Sequence, residues 1–461
     1  MEEADPTIIA IGIGAALVVW MAILLKFRLI KIAIGVMLFA AAIAITKTRA
    51  GAAHGAWIVP VAALRAEIFL GAGILILVGL LLHLSSVSVR RTSVQAWMLL
   101  ILAWYQGFMR IYHDEAFEGF RTIGGAMLTT LPLLLTIPAL LRRRFDWYEI
   151  LRVIMYVDVV MIGAVAIQIA VDPSRLAFGF GERFVGISGN PQHTAEYLAL
   201  ATVLGLWMAM NDPIRHLRWI WGSMAGIDLI LLFGSGSRTG IGLLVLGGTA
   251  ILYRRWGKAV LLLPLAALVA WGMLSFLEAQ NIELGYSRVM SLEDTRSESW
   301  LFMWDEVKDA PLVGNGLLDV ERSENSYLWG FAAFGVGYFA LMMVLVGISV
   351  AHCWNLQRAG RFLPQWRPLV DLFIGFNVMY FACAVFEGHI VLRATVWSPW
   401  MVIIGSLSAV MLQTYRMGQI EHLEMEPAEA EVEPEDQEYL EDEVETDSNL
   451  DYDPDAAYGL E

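Results

Sequence analysis

Residues 285–328 read GYSRVMSLEDTRSESWLFMWDEVKDAPLVGNGLLDVERSENSYL, the longest polar interval between hydrophobic segments of this chain. It holds arginines, carboxylates, a Gly-Asn-Gly turn and the pair Glu324-Asn325. On either side the sequence returns to apolar runs of about 20 residues, the length a helix needs to cross a bilayer. With 57% hydrophobic residues over 461 and a mean hydropathy of +0.60, the chain reads as an all-α polytopic membrane protein. The polar interval is then a loop between two spans. A membrane protein seldom spends so many charges there without a use for them, and we expect the loop to complete an active site.

Working outward, about 12–13 transmembrane helices are expected, at roughly 7–25, 29–46, 67–86, 96–112, 124–141, 150–171, 194–210, 217–233, 238–253, 259–277, 326–352, 369–386 and 395–414. The first follows MEEADPT, which lacks a basic segment, and reads as a retained span rather than a cleaved signal. Lys26/Arg28/Lys31, Arg90/Arg91, Arg142–Arg144, Arg215/Arg218, Arg254/Arg255/Lys258 and Arg358/Arg361/Arg367 fall in alternate loops. The positive-inside rule sends all six to the cytoplasm and the N-terminus outside. The intervals 172–193, 234–238 and 278–325 then share the extracytoplasmic face, which gathers Arg183, Arg238, Arg288, Arg296 and Glu324 there. Trp219, Trp221, Trp256, Trp397 and Trp400 near span ends read as interfacial anchors, and Pro132 and Pro138 as kinks within one span.

The net charge of −15 belongs to one end of the chain. From Glu421 onward there are 18 Asp/Glu and no Lys or Arg, leaving 28 acids against 31 bases in the remainder. A tail over 416–461 this acidic and poor in apolar residues is expected to be disordered and cytoplasmic. It is either a solvated extension or a docking segment for envelope-assembly proteins. The membrane domain proper spans 1–415. Cys353 and Cys383 both lie in apolar segments and read as small buried hydrophobes, with no thiolate metal site. No acidic pair of the kind that holds a metal stands out on the outside face. No nucleic-acid partner and no cofactor are expected.

Three stretches carry candidate chemistry. In GERFVGISGNPQHTAEY (181–197) the glycines and Asn190-Pro191 make a bent approach to the membrane, Thr194 can cap the next span, and Arg183 and His193 are the ionisable members. In GSGSRTG (234–240) two spans join with almost no loop, and Arg238 opens the second at the interface. A guanidinium there either snorkels to headgroups or takes a bidentate hold on a lipid-linked phosphate. In the long loop, Thr295-Arg296-Ser297-Glu298 fits a capping box, so a surface helix is expected from about Arg296 to Pro311, with Trp300, Trp304 and Val307 as its apolar stripe. Arg288 and Arg296 can equally pair with Glu293, Asp294 or Glu298 as surface ion pairs. Glu324 is either a general base, a helix-entrance carboxylate favoured by the N-terminal dipole, or an acceptor-binding group.

Taken together, GISGNPQHTAEYLAL, GSGSRTGIGLLVLG and the order TRSESWLFMWDEV…PLVGNG…ENSYLWGFAAFGVGYF resemble the O-antigen ligase and polymerase superfamily over roughly 180–345. The resemblance implies a GT-C-like membrane fold in the bacterial inner membrane with a long extracytoplasmic loop at 278–325. It implies a metal-independent, inverting glycosyltransferase that uses an undecaprenyl-diphosphate-linked glycan as donor and a glycan acceptor. Arg238, Arg296, Glu324 and Asn325 would be catalytic, with Arg183, Arg288, Asn190 and His193 binding substrate. The ligase branch carries His where this chain has Glu324, which favours a polymerase or another polysaccharide-transfer branch over a ligase acting on lipid A core. A transporter and a non-catalytic envelope scaffold are the readings of other classes: charges fall mostly at the interface and no inverted repeat is evident.

Overall fold

A computed structural model describes residues 27–43, 64–82, 92–142, 147–171, 183–188, 190–261, 296–318, 320, 324–390 and 397–429. Among these there is no strand. Twelve helices follow in order: α1 (Phe27–Ala42), α2 (Arg65–Leu82), α3 (Val94–Tyr112), α4 (Ala116–Arg142), α5 (Trp147–Val171), α6 (Pro191–Asn211), α7 (Arg215–Gly234), α8 (Arg238–Trp256), α9 (Ser297–Asp309), α10 (Ser326–Phe362), α11 (Arg367–Phe386) and α12 (Trp397–Glu429). Five of them, α4, α5, α7, α10 and α11, are long and apolar enough to cross a membrane. The expected spans at 7–25 and, beyond Leu261, at 259–277 lie outside the described residues. Pro132 and Pro138 both sit within the continuous run of α4.

The body, up to Gln413, is arranged around α6. Most of α6 is buried, from Thr194 through Met208, and its apolar residues are spread around the helix rather than confined to one stripe, as expected for a helix enclosed on all sides. It packs against α7 and α8, while α8 packs against α11 and α11 against α10. Close approach at the α6–α8 contact depends on Gly240: a Cβ there would stand 2.7 Å from Ala195 Cβ. The Asn211–Ile214 link is held by Asp212. Its carboxylate accepts from Arg152 Nε at 3.0 Å and Nη2 at 2.8 Å, from Ile214 N at 2.8 Å and from Trp221 Nε1 at 2.9 Å. Burial pushes this carboxyl up, but those hydrogen bonds outweigh it and hold Asp212 below the ordinary carboxylate range.

The tryptophan expectation is corrected in part. Trp219 and Trp256 are exposed, but Trp221, Trp397 and Trp400 are buried, and two of them donate to buried carboxylates rather than to headgroups. The α12 helix continues to Glu429, in keeping with the Glu, Leu, Met and Gln content of 416–429. Residues 430–461 lie outside the described part.

Candidate functional site

The decisive local feature is a break in α10. Gly335 stands at φ 75°, ψ −172° inside the helix, a region essentially restricted to glycine. A break strands backbone carbonyls that a continuous helix would use. The turn Pro311-Leu312-Val313-Gly314-Asn315-Gly316 docks on them: Asn315 N donates to Ala332 O at 2.8 Å, Gly316 N to Ala333 O at 3.1 Å, and Val336 N to Pro311 O at 2.9 Å. Asn315 Nδ2 also donates to Glu306 O at 2.8 Å and to Glu306 Oε2 at 2.9 Å, tying the turn to α9. The loop helix is thereby clamped on the N-terminal part of α10.

On α9 the cap position is Arg296 and the helix runs Ser297–Asp309, with Ser299, Met303 and Val307 buried. The stripe is therefore shifted from the one expected: Val307 belongs to it, whereas Trp304 faces outward. Trp300 lies against Phe386, with ring centroids 6.4 Å apart. Thr295 and Arg288 fall outside the described residues.

Arg296 joins three elements. Its Nη2 donates to Thr239 Oγ1 at 3.1 Å, on the first turn of α8, and to Glu387 Oε1 at 3.0 Å, just past α11. Its Nη1 donates to Phe386 O, and the guanidinium stands 5.3 Å from the Phe386 ring centroid. Arg183, only 8% exposed, donates through Nε to Ser235 O at 2.6 Å, while Phe184 N donates to Gly234 O at 2.8 Å. The 183–188 segment is thus fastened to the α7–α8 turn. Arg238 is exposed and opens α8 behind its cap Ser237, one residue before the threonine that Arg296 holds.

The N-terminus of α10 joins the same group. Ser326 Oγ donates to Glu387 O at 2.6 Å and accepts from Ile390 N at 3.2 Å. Asn325 is the N-cap, accepting from Tyr327 N at 2.9 Å and Leu328 N at 3.0 Å. Its side chain orders the helix start beside Glu324. Glu324 is half-buried, and its Oε2 has no hydrogen-bond partner among the described residues. Asn190 is likewise a cap, accepting from Gln192 N at 2.9 Å to start α6. Thr194, the expected cap, instead donates to Val185 O at 2.6 Å. His193 stands 3.8 Å from Glu196 Oε1.

Sequence reasoning missed three members: Glu387, Glu196 and His389. Glu196 is buried inside α6 and accepts from Trp397 Nε1 at 2.7 Å. His389 is buried between Trp397, stacked at 5.2 Å, and Tyr380, edge-on at 5.0 Å. Burial pushes its imidazole down, to about 3, so it is neutral. Burial pushes the Glu387 carboxyl up, to about 7; the Arg296 charge and hydrogen bond oppose this, Glu324 adds to the rise, and Arg183 opposes it. A signal for Glu387 existed: counting spans puts the 387–394 link on the same face as the three polar intervals. Glu196 gave none beyond being a carboxylate within an apolar run.

Four helix N-termini (α6, α8, α9 and α10) therefore converge with Arg183, Arg238, Arg296, Glu324 and Glu387. Helix N-termini and guanidinium groups both favour an anion. The carboxylates keep the cluster from being purely cationic and supply acid/base groups. Within the body, Asp158 of α5 and Asp228 of α7 are buried, with Tyr197 donating to Asp158 Oδ1 at 3.0 Å. Among the described residues, no cluster of three or more His, Cys, Asp or Glu could hold a metal ion. No protein-family model matches the chain, and no curated protein matches it in sequence.

Proposed function

We propose that the protein is a GT-C-like membrane glycosyltransferase of the polysaccharide polymerase type, moving a glycan from a polyprenyl-diphosphate carrier to an acceptor glycan. The observation that carries this reading is the convergence of Arg183, Arg238 and Arg296 with four helix N-termini beside a half-buried carboxylate, Glu324. A diphosphate leaving group needs positive charge that is already in place when the bond breaks. Hydrogen bonds to charged groups contribute about 1.5–3 kcal/mol each, so two or three arginines stabilise it substantially. Glu324 takes the proton from the acceptor hydroxyl as that oxygen attacks the anomeric carbon. The carbon–oxygen bond to the diphosphate then breaks with inversion. Arg238 and Arg296 hold the departing diphosphate. Arg183, with Arg288, supports donor or glycan binding, and Asn325 positions Glu324 by fixing the start of α10.

In this reading the cluster faces the extracytoplasmic side of a bacterial inner membrane, opposite the Asp212 link, which lies roughly 30 Å away along α6. The test is transfer by purified protein from an undecaprenyl-diphosphate-linked oligosaccharide to a lipid-linked acceptor. Glu324→Gln should lower turnover by about 10²–10⁴ with little change in donor binding. Arg238→Ala should weaken both. Turnover unchanged in both variants would overturn the assignment. Production of ligated lipid A core instead of lengthened chains would select the ligase alternative.

A further inference from the structure

The reading above gives Arg296 to the donor's diphosphate, yet in the structure the guanidinium is already engaged. Among the described residues its acceptors include the neutral Thr239 Oγ1 and Phe386 O and the carboxylate of Glu387. We propose that Glu387 is a built-in competitor for Arg296, occupying in the free protein the guanidinium that a diphosphate takes over on binding. The inference rests on the proposed function and concerns the same site.

The geometry favours exchange over a permanent structural pair. Glu387 engages Arg296 through one oxygen, Oε1, whereas a phosphate offers several and suits the two-pronged fork of arginine. The backbone of Glu387 is fixed independently: its carbonyl accepts from Ser326, whose hydroxyl also accepts from Ile390 N. Losing Arg296 therefore releases the side chain without loosening the α10–α11 contact. Thr239 and Phe386 O stay in place to orient the guanidinium.

The surroundings define what happens to the displaced carboxylate. From the 183–188 segment it meets Arg183; from the α10 entrance, Glu324; from α6, Glu196, with His193 beside it; from its own segment, His389. Burial and the neighbouring Glu324 carboxylate both disfavour an unpaired negative charge there. A displaced Glu387 takes up a proton, in keeping with a carboxyl that burial already pushes up to about 7. Donor binding thereby becomes coupled to protonation of Glu387.

The test uses the full-length protein in detergent with sugar-free undecaprenyl diphosphate as the probe, and equilibrium binding as the readout. At pH 8, Glu387→Gln should bind about ten- to a hundredfold tighter than wild type, the worth of one charge-assisted hydrogen bond. The ratio should shrink toward one below pH 7, where wild-type Glu387 carries its own proton; titration of the probe cancels in that ratio. Arg296→Ala should lose binding. Glu387→Asp, which shortens the reach to Arg296, should also bind tighter and serves if the Gln variant does not fold. Binding equal to or weaker than wild type in both Glu387 variants overturns the competitor role and leaves the glycosyltransferase reading standing. No binding by wild type or by either Glu387 variant removes that reading and this inference with it.

Discussion

Replacing Gly335 by alanine tests whether the break in α10 holds the site together. At φ 75°, ψ −172° a side chain costs about 1–3 kcal/mol in backbone strain. A Cβ would also run into Leu312 O and stand 2.7 Å from Val313 N, both backbone atoms with no rotamer to change. Relief requires the turn to lift off, which breaks the bonds from Asn315 N, Gly316 N and Val336 N. Each is worth about 1 kcal/mol net, so the whole effect is on the order of 4–6 kcal/mol. Thermal unfolding in detergent, followed by tryptophan fluorescence, should drop by about 5–10 °C. Glycan transfer should fall with it, because Glu324, Asn325 and Ser326 stand at the entrance of α10. Gly242→Ala on α8, where a Cβ meets nothing within 4 Å, is the control and should be neutral or slightly stabilising. A Gly335→Ala protein melting within about 1 °C of wild type would refute the argument from the docked turn.

Asp212→Ala should destabilise by about 3–5 kcal/mol at neutral pH, because it removes the buried carboxylate that takes two hydrogen bonds from the mostly buried Arg152. The Asp212 carboxyl is held low in the fold, so its contribution is present above the unfolded value of about 3.9 and is lost as pH falls through the folded value. Melting scans from pH 7 to 3 should show that acid-dependent loss in wild type and a smaller one in the variant. Asn325→Ala should cost about 0.5–2 kcal/mol through the lost cap, whereas Asn325→Asp, which keeps an acceptor oxygen, should recover most of the melting temperature. Gly247→Ala places a Cβ against the Met379 sulfur and 2.9 Å from Val203 Cγ2. Methionine can change rotamer, so the expected loss is only about 1–2 kcal/mol, and a larger one would show that the α8–α11 seam cannot adjust.

The helices were legible because apolar runs of bilayer length have few alternatives. The expected spans from 29–46 through 238–253, and those at 326–352, 369–386 and 395–414, each coincide with a described helix. Arg183, Arg238, Arg296 and Glu324 were legible as a set because alternating charged loops put them on one face. Their partners were not. Asn190 and Asn325, read as substrate-binding and catalytic, both act in the structure as helix caps. Asn-Pro and Glu-Asn before an apolar run fit a cap and a polar site equally well.

The sequence by itself determined an all-helical membrane body, the places where its polar segments interrupt it, and the face those segments share. These follow from local hydrophobicity, which each segment expresses without its neighbours. Tertiary structure alone decided that the Pro311–Gly316 turn satisfies carbonyls exposed at Gly335, and that Glu387, from beyond α11, pairs with Arg296. Both are contacts between distant segments, selected by which buried polar groups lack a partner once the helices have packed. The loop of 285–328 thus contributes Arg296, while the far end of α11 supplies the carboxylate that pairs with it.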